Sequence, residues 1–167
     1  TGYFYGWQYF GDLEIVTRLA TYSSGAGSSS GGIRIAESIE GGAQLHLGRM
    51  PTGAFSGYYW TSIAGASQSG VPSGIATGNW IRIVRRGNAI TGYRATHNST
   101  TGGPNAWTQI GQPQTIIMTT PVWVGFYVNN ASGATGTLNT CTFTNLSINA
   151  VNKAPIIAAT AGGSITP

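Results

Sequence analysis

The sequence predicts an all-β protein, a two-sheet antiparallel jelly-roll sandwich with an extended C-terminal tail. Three observations carry this expectation. Apolar residues recur with period two, which puts alternate side chains on one face of a strand. Glycine- and serine-rich stretches cut these runs into short segments. The 167 residues include 26 glycines, 41% hydrophobic residues and only 7% charged ones. A chain of this length and apolar content can bury a core as one domain. No helix longer than a turn is expected.

The elements follow in order. Tyr3, Tyr5, Trp7 and Tyr9 share one face of the first strand, with Phe4 and Phe10 on the other. Leu13, Ile15, Thr17 and Leu19 then alternate with Glu14, Val16 and Arg18. Ile33 and Ile35 flank Arg34, Leu45 and Leu47 flank His46, and Ile81 and Ile83 flank Arg82. Tyr58 and Trp60 share a face. Gly87-Asn88 between two β runs reads as a hairpin turn, because both residues tolerate positive φ. Val122, Val124, Phe126 and Val128 alternate with Trp123, Gly125 and Tyr127. A Thr-rich strand over 138–148 places Cys141 on the face of Phe143, where it reads as a small buried hydrophobe. Being the single cysteine, it excludes an internal disulfide. Gly/Ser separators are expected at 23–32, 40–42 and 65–78. The sandwich is placed at 1–149, and 150–167 is a tail that serves as linker or donated strand.

Composition also narrows function. Ordinary soluble domains carry roughly 25% charged residues, and a surface of Thr, Ser, Asn, Gln and Gly suits an extracellular or cell-surface protein. The net charge of +4 arises from eight basic and four acidic residues. No broad basic face interleaved with aromatics appears, so no nucleic-acid partner is expected. No apolar stretch approaches the ~20 residues of a membrane helix, so no membrane span is expected.

The sequence carries no complete catalytic pattern. Asp12 and Glu14 share a strand face, the arrangement two glycosidase carboxylates use. Asp12 follows a turn glycine, however, and the pair reads as a turn Asp and a solvent-facing Glu. Glu37 and Glu40 read as a polar loop edge. His46 and His97 have no neighbouring nucleophile in sequence, no Ser lies in a nucleophile elbow, and no His/Cys/Asp/Glu group has metal-ligand spacing. The chain is therefore expected not to be an enzyme and to need no cofactor or metal ligand set. A weak structural calcium held by backbone carbonyls stays open.

Several phrases carry a resemblance. Gly11-Asp12-Leu13-Glu14-Ile15-Val16-Thr17-Arg18-Leu19 and Gly32-Ile33-Arg34-Ile35-Ala36-Glu37-Ser38 are two of them. Trp80-Ile81-Arg82-Ile83-Val84-Arg85-Arg86-Gly87-Asn88, Trp107-Thr108-Gln109-Ile110-Gly111 and Val122-Trp123-Val124-Gly125-Phe126 follow in the same order. Together they resemble a bacterial family of concanavalin A-like, laminin-G-like lectin-glucanase sandwich domains, over roughly residues 3–148. The resemblance implies a concanavalin A-like jelly roll in secreted multidomain proteins, often beside glycan-active modules. Two departures matter. The loop 96–106 is longer than the family's and lacks its Asp-Gly turn, so no ligand role is carried over to it. The family also has a further strand before the segment matching 3–10, which leaves a seam that something must fill.

Two functions are expected from these features. The first is an extracellular filament or surface-array subunit whose tail completes a neighbouring sandwich, its partners being copies of itself or adjacent domains of the same polymer. Ala154, Pro155, Ile156, Ile157, Ala158, Ala159 and Thr160 are the donated segment, and Tyr3, Tyr5 and Trp7 its receiving strand. The second is a carbohydrate-binding module with glycans as partners. Tyr58, Trp60, Tyr93, Trp123 and Tyr127 would form its aromatic platform, with His46 and Arg82 as polar groups.

Overall fold

The computed structural model of the chain describes residues 2–23, 29–40, 42–49, 58–63, 66–72, 74–129, 139–152 and 157–159. Among them are eleven strands and no helix. The strands are β1 (Gly2–Ser23), β2 (Ser30–Ala36), β3 (Gln44–Arg49), β4 (Tyr58–Ile63), β5 (Ala66–Pro72), β6 (Trp80–Arg86), β7 (Ala89–Ala95), β8 (Thr108–Thr115), β9 (Val122–Asn129), β10 (Thr140–Asn152) and β11 (Ile157–Ala159).

β1 belongs to both layers of the sandwich. Its first half pairs with β9, from Gly2 opposite Asn129 to Tyr9 opposite Val122. Its second half pairs with β6, from Leu13 opposite Arg85 to Arg18 opposite Trp80. Between the halves Gly11 sits at φ +70°, in the left-handed region that a residue without Cβ enters freely. The two runs predicted at 3–10 and 13–19 are thus one bent strand. The first sheet has the order β5-β4-β3-β2-β9-β1, and the second runs β10-β1-β6-β7-β8. All pairings are antiparallel.

The predicted alternation is what builds the core. Leu13, Ile15, Leu19, Ile81, Ile83, Ile90 and Ile110 of the second sheet pack against Ile33, Ile35, Leu45, Leu47, Val122 and Val124 of the first. Thr17 falls in the same series and is fully buried. Its hydroxyl is satisfied locally: Oγ1 donates to the Thr144 carbonyl at 2.9 Å. A bulge in β10 helps here, because 145 and 146 together stand opposite Thr17, with Asn145 at φ 57°. Cys141 is half-buried and faces Gly31, and burial raises its thiol to about 11.

Two segments depart from expectation. The polar stretch at 65–78 was predicted to be a separator, yet Ala66–Pro72 forms β5 on the edge of the first sheet. An edge strand pairs on one side only and needs no apolar period, so nothing in its sequence marks it. β10 runs to Asn152, past the boundary predicted at 149. The chain then stays beside β1: Asn152 stands opposite Phe10, and Ile157, Ala158 and Ala159 stand opposite Trp7, Gly6 and Tyr5. β10 and β11 therefore follow β1 across both sheets. The seam expected beside the first strand is occupied by this chain's own segment. Ala154, Pro155, Ile156 and Thr160 lie outside the described residues.

Candidate functional site

Of the seven platform residues, the five with described side chains divide between the two outward faces, and Tyr58 and Trp60 are placed by backbone register alone. On the first sheet, alternation turns the side chains between the core positions outward, and register arranges them in rows. One row runs Gln8, Trp123, Ala36, Gln44, Ser62; the next runs Gly6, Gly125, Arg34, His46, Trp60; the third runs Phe4, Tyr127, Gly32, Gly48, Tyr58. Tyr58, Trp60 and Ser62 hold their row positions by backbone register, and their side chains lie outside the described residues. Glycines permit the close packing of this face. A Cβ on Gly32 would run into the Leu47 carbonyl, and one on Gly6 would meet the Phe4 ring.

This face is recessed. Tyr127 is 4% exposed, so no ring face is open for stacking, while Trp123 is half-buried. The His46 ring meets Tyr127 edge-on, with centroids 4.7 Å apart, and His46 Nε2–H donates to Gln44 Oε1 at 2.9 Å. Burial, with the Arg34 charge beside it, lowers the imidazole from 6.5 to about 3, so His46 is neutral at physiological pH.

The outward face of the second sheet is more open and chemically richer. Arg82 stands opposite Tyr93, and Tyr93 opposite Gln109. The Arg82 guanidinium lies 5.0 Å from the Tyr93 ring centroid and 5.6 Å from that of Trp107. Its Nη2 donates to Glu14 Oε2 at 2.6 Å. Cation–π contact on two sides and an ion pair on the third hold the guanidinium in one orientation. Glu14 also lines a cleft of about 400 Å³ with Asp12, Arg86, Asn149 and Ala150. That volume lies within the ~300–1,000 Å³ of small-ligand pockets. Asp12 is the predicted turn residue, its Oδ1 accepting the Gly87 N–H at 2.7 Å. Glu14, predicted to face solvent, is instead 21% exposed and paired.

The long loop 96–107 positions Trp107. Asn98 Oδ1 accepts the N–H groups of Thr100 and Thr101 at 2.9 and 3.1 Å, and Asn98 and Gly103 close the turn backbone to backbone. Trp80 Nε1–H donates to His97 Nδ1 at 3.1 Å with the rings stacked, which ties the loop to β6. Trp107 and Glu14 were not among the predicted platform. A Trp directly before a strand next to a long loop was the available signal for the first. The second is exposed only by cross-strand register, which sequence does not give.

Among the described residues no three His, Cys, Asp or Glu side chains gather as a metal site. Among the described residues no helix is long and apolar enough to cross a membrane.

No family model matches the chain, and no curated protein sequence matches it. Among solved structures it is similar to xylan β-1,4-xylosidase from Bacillus halodurans C-125, with a TM-score of 0.60 and 14% identity over 83% of this chain and 28% of that one. It is also similar to a functionally unknown protein from Saccharomyces cerevisiae, with a TM-score of 0.54 and 13% identity over 92% of this chain and 74% of that one. The chain thus spans 28% of the length of the xylosidase it matches. These likenesses establish the β-sandwich fold. They also correct the expectation that the chain is no enzyme: the same fold is carried within an enzyme, and a missing sequence motif does not decide activity.

Proposed function

We propose that this chain is a carbohydrate-recognition β-sandwich, of the concanavalin A-like lectin-glucanase type its sequence resembles, binding an extracellular glycan on the outward face of the second sheet. One observation carries the reading. Arg82 is fixed between Tyr93 and Trp107, and its partner Glu14 lines the adjoining cleft. Sugar binding calls for this combination, with ring faces for the apolar side of a pyranose and pre-oriented polar groups for its hydroxyls. Asn149, Arg86 and Asp12 extend the polar set along the cleft. The substrate of the xylosidase neighbour makes β-1,4-linked xylo-oligosaccharides the first ligands to test. Calorimetric titration of the wild type and of Trp107→Ala should show at least a tenfold loss of affinity, about 1.4 kcal/mol, with the melting temperature little changed. Equal affinity in Trp107→Ala and Tyr93→Ala would remove this face from consideration.

A second reading, self-assembly by exchange of the C-terminal segment, is favoured by the placement of β11. Among the described residues three pair on each side, and identical contacts are available to the same segment of a neighbouring copy. The receiving strand is aromatic and open: Tyr3 is 60% and Tyr5 38% exposed. Light scattering and electron microscopy on the full chain and on a variant lacking residues 154–167 test this. Multimers confined to the full chain support exchange, and unchanged assembly on truncation ends it.

A further inference from the structure

We propose that the outward face of the first sheet is a second binding site, taking a carboxylate group, with Arg34 as the counter-charge and Phe4 as the cover. The two buried arginines of this protein are not alike. Arg85, 3% exposed, donates from Nε, Nη1 and Nη2 to the carbonyls of Gly87, Gly11 and Met118 at 2.9, 3.2 and 3.4 Å. Burial lowers its pKa, and the charge of Asp12 partly opposes this. Arg34, 8% exposed, donates from Nη2 to the Ser38 carbonyl at 2.9 Å and from Nη1 to that of Ile39 at 3.4 Å. Its buried Nε has no hydrogen-bond partner, and among the described residues no carboxylate lies within ion-pair distance.

The four acids are placed elsewhere. Asp12 holds the Gly87 N–H, Glu14 holds Arg82, and Glu37 Oε1 accepts from the backbone and hydroxyl of Thr119 at 3.1 and 2.6 Å. Glu40 is exposed in its loop. Burial lowers Arg34 to about 10, so it remains charged at neutral pH. A buried charge without an opposite charge is costly, and a guanidinium fork matches a carboxylate in shape and charge. Gly125 is Arg34's cross-strand neighbour and Gly6 the next residue along that row, and the place beside them is filled by the Phe4 ring rather than by a side chain of either glycine. The Phe4 ring leans over Gly6 and stacks on the guanidinium at 5.2 Å. Rotating Phe4 away frees the place its ring fills, with Arg34 as the one cation there among the described residues and neutral His46 and Gln44 beside it. This site lies on the sheet opposite the proposed glycan face and stands or falls without it.

The side-chain Nε–H resonance of Arg34 in a ¹⁵N-correlated NMR spectrum reports directly on this contact. Galacturonate, its methyl ester and acetate are the probes. A saturable shift of that resonance with galacturonate near about 1 mM, and none with the ester, supports the proposal. Acetate acting equally identifies a free small acid as sufficient ligand; galacturonate acting alone identifies an acidic sugar. Phe4→Ala should lower the saturating concentration severalfold, a readout that does not depend on Arg34→Gln folding. A resonance unmoved by either acid, in both wild type and Phe4→Ala, overturns the proposal.

Discussion

At the scale of single residues, the outward face of the first sheet decides the protein's response to acid. His46 is held neutral by burial and by Arg34, its imidazole lowered to about 3. The unfolded chain takes up this proton near the ordinary value of 6.5. Between those limits the unfolded state binds more protons, so stability present above about 6.5 is lost as pH falls toward 3. Urea denaturation at about pH 7 and about pH 5 should differ by about 2 kcal/mol for this reason. His46→Gln should flatten most of that slope. The Glu37 carboxyl, lowered chiefly by the Thr119 hydroxyl, adds its loss only in stronger acid. An unaltered slope in the His46 variant would show that another group carries the effect. The Arg82–Glu14 pair is different in kind. With side chains 26% and 21% exposed it contributes little to stability, on the order of 1 kcal/mol or less, and its value lies in orientation.

At the scale of elements, the loop 96–107 and the strand β1 do the positioning. The loop is closed by its own hydrogen bonds, and it delivers Trp107 onto Arg82. Asn98 is its clamp. Asn98→Ala leaves two backbone N–H groups without their partner and should lower stability by about 1 kcal/mol. Xylo-oligosaccharide affinity should fall with it, since Trp107 loses its fixed place. Calorimetric titration together with thermal denaturation separates the two effects. A variant that binds as tightly as the wild type would mean that Trp107 is held by β8 alone. β1, bent at Gly11, supplies both sheets, so Glu14 on one half and Phe4 on the other serve opposite faces of one strand's path.

At the scale of the whole molecule, the C-terminal ribbon of β10 and β11 closes the edge that β1 leaves. Removing residues 154–167 takes away β11 and leaves the Tyr5–Trp7 backbone without that neighbour. The truncated chain should melt several degrees lower. If the segment exchanges between copies, only the full-length chain's melting temperature should rise with protein concentration. A melting temperature independent of concentration in both forms would mean that closure is entirely within the chain.

The all-β class, the core series Leu13-Ile15-Leu19, Ile33-Ile35, Leu45-Leu47 and Ile81-Ile83, and the turn at Gly87-Asn88 were legible in the sequence. They are legible because period-two alternation and turn chemistry are local properties of a few adjacent residues. Alternation states that a side chain turns away from the core; it does not state which sheet carries it outward or how deep it then lies. That is why Tyr93 and Arg82 parted from His46, Trp123 and Tyr127, and why Tyr127 proved 4% exposed. It is also why β5 and the partner of Tyr5–Trp7 came only with strand pairing. Register between strands distant in sequence is set by closing one shared core, and only the folded chain fixes it.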